Sequence, residues 1–224
     1  MTDMSSPVKK YYLQFLSILK SARILALEFG HFRSIREGHA INSSGMPIPW
    51  YTYPAIEFLD TLDLSTCDVF EFGSGNSSVF WANRARQVVS VEDNKPWFEL
   101  VQARKRGNQV VLYGEDESSY VGALSGCGRL FDVVVVDGRW RLACVPAAIS
   151  ALKPGGFIVL DNSDRSEEKK CSELLRRSGF FQIDFNGFGP INSYCWSTSI
   201  FLKAGVSVER KPSCAAPIGA LGEA

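Results

Sequence analysis

The chain has 224 residues, 46% of them hydrophobic, enough to bury a full core and, at roughly 100 to 200 residues per domain, suited to one elaborated domain. Lys+Arg and Asp+Glu both total 24, so the formal net charge is zero and the basic footprint of a protein that wraps nucleic acid is missing; small or neutral partners fit better. Six cysteines (Cys67, Cys127, Cys144, Cys171, Cys195 and Cys214) are scattered without a paired spacing and histidine occurs only at His31 and His39, so neither a disulfide framework nor a zinc site is expected, and the reading is cytoplasmic.

The first segment, 11 to 29, places Leu16, Leu19, Ala22, Ala26 and Phe29 at helical spacing, while Lys20, Arg23 and Glu28 interrupt it short of the roughly 18 clean apolar residues of a membrane span. A helix packed on the domain, or on a second copy in a homodimer, is expected, with no transmembrane span. Lys9, Lys10 and Lys20 leave a membrane-surface role as the lesser alternative. A polar, glycine-containing stretch from Arg33 to Pro49 follows, and then PWYTYPAIEFLDTL, which reads as a turn into a short helix. Residues 1–66 are therefore expected to form an N-terminal helical cap.

From Cys67 onward strands and helices alternate: strands at 67–72, 87–92, 109–113, 131–137, 157–161, FFQIDF and WSTSIFL, with helices expected at 77–86, 96–106, 142–152 and 166–178. Alternation of this kind means an α/β fold with a doubly wound, mostly parallel sheet. The unbroken apolar run FDVVVVD suits a strand covered on both faces, at the sheet centre. NGFGPINSY, between the last two strands, is too short for a crossover helix, so the seventh strand should be antiparallel. Residues 67–203 make the core domain, and the tail 204–224, rich in Pro, Gly and Ala without periodicity, is expected to be disordered.

VFEFGSGNSS at 69–78 is a strand running into a glycine turn, which brings backbone close to a ligand and aims free N–H groups at a negative group. A dinucleotide loop needs a third glycine three residues on; Ser78 stands there, and Glu71 precedes the glycines. The ordered set EFGSGNSS, SVED (90–93), FDVVVVDG and LKPGGFIVLDN resembles the motifs of the class I S-adenosylmethionine-dependent methyltransferases, from Trp50 to Lys203. The resemblance implies a seven-stranded sheet with the last strand antiparallel and S-adenosyl-L-methionine as cofactor. Glu71, Gly73, Ser74, Gly75, Asn76, Ser77 and Ser78 would then face the methionine end, Glu92, with Asp93 beside it, the ribose, and loosely Glu115 and Asp116 the adenine amino group, with Asp137 beside the cofactor and Trp50, Tyr51, Thr52 and Tyr53 closing over it, or else packing as aromatics under the cap.

Asp137 ends the fourth strand and Asp161 with Asn162 the fifth, on the edge where doubly wound sheets bind ligands. This trio resembles the magnesium site of the catechol and caffeoyl-CoA O-methyltransferase group, and its oxygen-only ligands suit a hard cation. The lysine base of that group is missing: DGRWR puts Trp140 at its place, between Arg139 and Arg141. Asp137 as a direct base or orienting group is the rival to a metal, and His31 or His39 from the cap a lesser one. Catalytic roles are expected for Asp137, Arg139, Arg141 and Asp161, the arginines holding a carboxylate, phosphate or acidic sugar. Ser163, Asp164, Arg165, Asn192 and Tyr194 add a polar rim. The function so read is O-methylation of a small hydroxylated or glycan-type acceptor, without nucleic acid. Another S-adenosyl-using transferase, such as an aminopropyltransferase, and a silent binding module are the alternatives.

Overall fold

The structure, a computed structural model, describes residues 7–220; the ends of the expected cap (1–6) and tail (221–224) lie outside the described residues. The core is a seven-stranded sheet in the order β3-β2-β1-β4-β5-β7-β6. Its strands are β1 Asp68–Phe72, β2 Gln87–Glu92, β3 Gln109–Tyr113, β4 Phe131–Val136, β5 Leu152–Asp161, β6 Phe180–Gly187 and β7 Trp196–Lys203. β1 to β5 are parallel, and β7 runs antiparallel between β5 and β6. The expected seven-stranded α/β fold with a reversed last strand is the fold observed.

The alternating pleat of β4 explains its continuous apolar run. Val134 and Val136 join one core with Phe70, Phe72, Ile158 and Leu160 under helices α6 Glu117–Gly126, α7 Arg141–Ala151 and α8 Glu168–Arg177. Val133 and Val135 face the other way, against α3 Tyr53–Asp60 and α4 Asn76–Ala82, where Leu59, Phe80 and Trp81 fill the space. α5 Lys95–Arg104 leads from β2 to β3 and opens on Asn94, whose side chain accepts the Trp97 N–H.

Three elements depart from the expected order. α6 was not expected; only Tyr120 and Leu124 of it are buried, too sparse an apolar stripe to read, and its visible signal is the Asp116 cap over Ser119. α2 His31–Glu37 opens just before the polar, glycine-containing stretch that starts at Arg33 and runs into it, bounded at both ends by the left-handed Gly30 and Gly38. β5 starts at Leu152 rather than at the expected 157, drawing Lys153 to Gly156 into the strand through a register shift opposite Phe131 and Val133.

The cap begins with α1 Pro7–Arg23, continued by a π-helical turn at Ile24–Glu28. Tyr11, Phe15 and Ile18 on α1 are exposed, an apolar face left uncovered in a single chain. No helix among the described residues is long and apolar enough to cross a membrane. Residues 204–220, expected to be disordered, run back along α3: Arg210 bridges Leu62, Lys211 Nζ donates to the Asp60 carbonyl at 2.6 Å, and the Ile218 N–H donates to Glu57 at 2.7 Å. These are backbone and charge contacts, which leave no hydrophobic period for a sequence reading to find.

Candidate active site

The strand order reverses between β1 and β4, and the carboxyl ends of these two strands diverge into the cleft. The turn after β1 passes Gly73 at φ +106 and Gly75 at φ +155, the second a conformation essentially confined to glycine. Gly138, after β4, comes so close that a Cβ there would stand 2.9 Å from the Gly73 nitrogen and 1.9 Å from the Tyr120 hydroxyl. The two loops thus touch backbone to backbone and form the floor of a cleft of about 430 Å³ lined by Glu71, Gly73, Ser74, Ser77, Glu92, Asp93, Trp97 and Asp137.

Glu71 is 1% exposed. Ser78 Oγ donates to its Oε2 and accepts the Gly75 N–H, while Oε1 has no partner among the described residues. Burial pushes this carboxyl up to about 7, opposed by the neighbouring Ser77 and Ser78 hydroxyls, which favour its charged form. A buried acceptor facing a cleft with one oxygen unsatisfied is suited to a cationic donor. Glu92, raised by burial, accepts from Ser74 Oγ at 2.8 Å and from the Asn94 N–H at 3.1 Å. Trp97, not singled out from the sequence, donates its indole N–H to the Ser74 carbonyl at 2.8 Å and so braces the turn.

The cap meets this loop through Asn76, whose amide donates to the Ala40 carbonyl at 2.8 Å. A smaller cavity of about 220 Å³ between them is lined by His39, Trp50, Ile191, Gly75, Ser77 and Asp137. Thr52 and Tyr53 do not close over the cleft as expected. Thr52 is fully buried, bonded to Thr198 and Phe185, and Tyr53 packs on Phe29 beside His31; of that segment Trp50 lines the neighbouring cavities. His31 is likewise turned into the cap. Asp116 is occupied in capping α6, and neither it nor Glu115 lines the cleft.

Asp137 separates the cofactor-sized cleft from a third cavity of about 390 Å³, lined by Trp50, Arg141, Asp161, Asn162, Arg165, Asn192 and Tyr194. Burial, with the neighbouring Asp161 charge, raises the Asp137 carboxyl well above the carboxylate range, opposed by Arg141. Asp161 is 3% exposed; its Oδ1 accepts from Trp196 Nε1 at 3.0 Å and Thr198 Oγ at 2.5 Å, and burial lifts it to about 6. The non-glycine residues at positive φ, namely Trp140, Asn162 and Ile191, all flank this region, where strain is commonly held. Trp140 turns inward onto Tyr120, so the position of the expected lysine base belongs to the core.

Arg141 corrects two expectations. Its five N–H groups are all engaged: Nε with the Gly138 carbonyl, Nη1 with the Asp161 carbonyl and Asn162 Oδ1, Nη2 with the carbonyl and Oδ1 of Asp137. It ties the end of β4 to the end of β5 and has no donor left for an acceptor's anion. Its guanidinium also takes two of the side-chain oxygens expected to bind magnesium, Asp137 Oδ1 and Asn162 Oδ1, so a cation there would meet fixed positive charge. The residues as placed do not fit the metal, since Oδ1 of Asp137 and Oδ1 of Asn162 already accept from Arg141. Arg139, by contrast, pairs with Asp93 at 3.1 Å across the cofactor side.

No family model matches the chain, and no curated protein matches it. Solved structures do. Precorrin-6y C5,15-methyltransferase from Geobacter metallireducens GS-15 superposes with a TM-score of 0.55 at 15% identity, over 67% of this chain and 87% of its own. A candidate SAM-dependent methyltransferase from Streptococcus mutans gives 0.52 at 15% identity, over 65% of this chain and 47% of its own. At these identities the likeness is one of fold: the chain has the Rossmann-like fold of S-adenosylmethionine-dependent methyltransferases. The narrower likeness to the catechol group finds no support in these relatives or in the Arg141 arrangement.

Proposed function

We propose that this protein is an S-adenosyl-L-methionine-dependent methyltransferase that methylates a hydroxyl of a small or glycan-type acceptor without a metal ion. The observation that carries the reading is Glu71 Oε1, a buried carboxylate oxygen lacking a partner among the described residues beside a cleft floored by glycines. Such an atom fits the ammonium of the methionine end, while free N–H groups of the Gly73–Ser77 turn suit its carboxylate. Glu92 is suited to the ribose hydroxyls. When bound, the cofactor supplies an electrophilic methyl on a sulfonium.

The chain's residues then have to align the acceptor and take its proton. Asp137 stands between the two cavities, and its raised affinity for protons suits a general base for a hydroxyl. Asp161 and Arg141 are positioning residues that hold the ends of β5 and β4. Zero net charge favours a small acceptor over nucleic acid. Incubation with methyl-labelled S-adenosylmethionine and a fractionated extract tests this: transfer to a hydroxylated small molecule or glycan, lost in Asp137→Asn, is expected, and transfer to RNA or protein would overturn the acceptor class.

The uncovered face of α1 supports pairing of two copies. Sedimentation should show a dimer that Phe15→Glu with Ile18→Glu converts to a monomer; a monomeric unaltered chain would contradict this.

A further inference from the structure

We infer that Arg165 selects the acceptor by pairing with a carboxylate or phosphate on it, so that the substrate is a hydroxylated ring carrying an anionic group. The inference rests on the methyltransferase reading only for what happens to the bound molecule. The cavity of about 390 Å³ beyond Asp137 has two arginines on its wall, Arg141 and Arg165. Arg141 has every N–H engaged. Arg165 makes no ion pair or side-chain hydrogen bond among the described residues, although its charge is felt at Asp137.

Arg165 is nevertheless held in place. Its N–H donates to the Asn162 carbonyl at 2.9 Å, Asp164 Oδ1 accepts the Ser197 N–H at 3.0 Å, and the Ser163 N–H donates to the Ser197 carbonyl at 3.0 Å, so the backbone carrying it is pinned to β7. A fixed backbone bearing an unpaired guanidinium at a cavity mouth is a fork for a planar or tetrahedral oxyanion. Trp50 and Tyr194 line the same cavity and are 47% and 55% exposed, flat faces on which a ring can stack. The amide of Asn192 and the NH2 of Asn162, whose Oδ1 already accepts from Arg141, line the same cavity as partners for hydroxyls. An acceptor with its anion on Arg165 and its ring on the aromatics would present a hydroxyl to Asp137, on the wall shared with the cofactor cleft.

The test uses the intact chain with S-adenosylhomocysteine and matched probes: glucose, glucuronate and glucose 6-phosphate, and phenol with 4-hydroxybenzoate, followed by saturation-transfer NMR titration. Anionic members should bind and their neutral partners should not. Arg165→Gln should weaken the anionic probes by about tenfold or more, Arg165→Lys should restore part of that loss, and Arg36→Gln, on the cap surface beside Glu37, should leave them unchanged. Equal binding of neutral and anionic members, no binding of any anionic member, or unaltered binding by Arg165→Gln would overturn the assignment. Calorimetry with S-adenosylhomocysteine separates the two readings. Its failure beside intact anion selectivity sinks the cofactor and spares Arg165, and the converse sinks Arg165 alone.

Discussion

Arg141 donates from Nη1 to the main-chain carbonyl of Asp161 at 2.5 Å, a bond from the first residue of α7 to the last residue of β5. With its bonds to Gly138 and Asp137, it sets the distance between the strand ends that carry both candidate acids.

Arg141→Gln is therefore expected to act on stability as well as activity. It leaves the half-buried Asp137 carboxylate without its paired cation, the buried Asp161 carboxylate without the nearby positive charge and several carbonyls without donors, a change that costs about 3 kcal/mol. Urea unfolding checks this, and Arg141→Lys should fail to rescue, since an ammonium cannot span these acceptors. Full stability in Arg141→Gln would remove the strut from the account.

Glu71 carries a pH signature. Its carboxyl sits at about 7 in the folded cofactor-free chain against an ordinary 4.5, so the folded state holds the extra proton. The associated stability is fully present below pH 4.5 and is lost as pH rises through about 7. Glu71→Gln has no such proton to lose, and at pH 8 the cofactor-free variant should be more stable by about 3 kcal/mol. Thermal unfolding at pH 5 and pH 8 checks the sign; a variant less stable at pH 8 would contradict it.

Activity should survive exhaustive chelation, because Arg141 lies where the magnesium would be bound. Assays after dialysis against EDTA check this, and a loss restored by added magnesium would contradict it.

Gly138→Ala places a methyl 1.9 Å from the Tyr120 hydroxyl and 3.0 Å from the Phe72 carbonyl carbon, at the point where the two loops meet. About 1–3 kcal/mol of destabilisation is expected, with weakened cofactor affinity. A variant matching the unaltered chain in both would show that the loops are not held in contact.

The sheet was readable from the sequence because its strands are apolar runs with the period of the pleat and its turns carry glycine and proline. α6 was not, since it buries little and starts on a cap. Of the expected acids, Glu71, Glu92 and Asp137 line one cleft and Asp161 the cavity beside it, each standing at or near a strand end, whereas Asp116 caps α6 instead. The site was not readable in its arginines. Arg139, Arg141 and Arg165 differ only in which acceptors surround them: Asp93 for the first, the ends of β4 and β5 for the second, and no pairing partner among the described residues for the third. Thr52 and Tyr53 misled because a cap segment's register over the cleft depends on packing between elements far apart in the chain.

The central claim is that the cleft at Glu71 takes S-adenosyl-L-methionine, and isothermal titration at pH 8 tests it most directly, with NAD as the control and Glu71→Gln beside the unaltered chain. The account predicts saturable binding of S-adenosylmethionine, none of NAD, and a loss of at least about tenfold in affinity in the variant. Binding of NAD in its place, or S-adenosylmethionine bound equally well by Glu71→Gln, would contradict it.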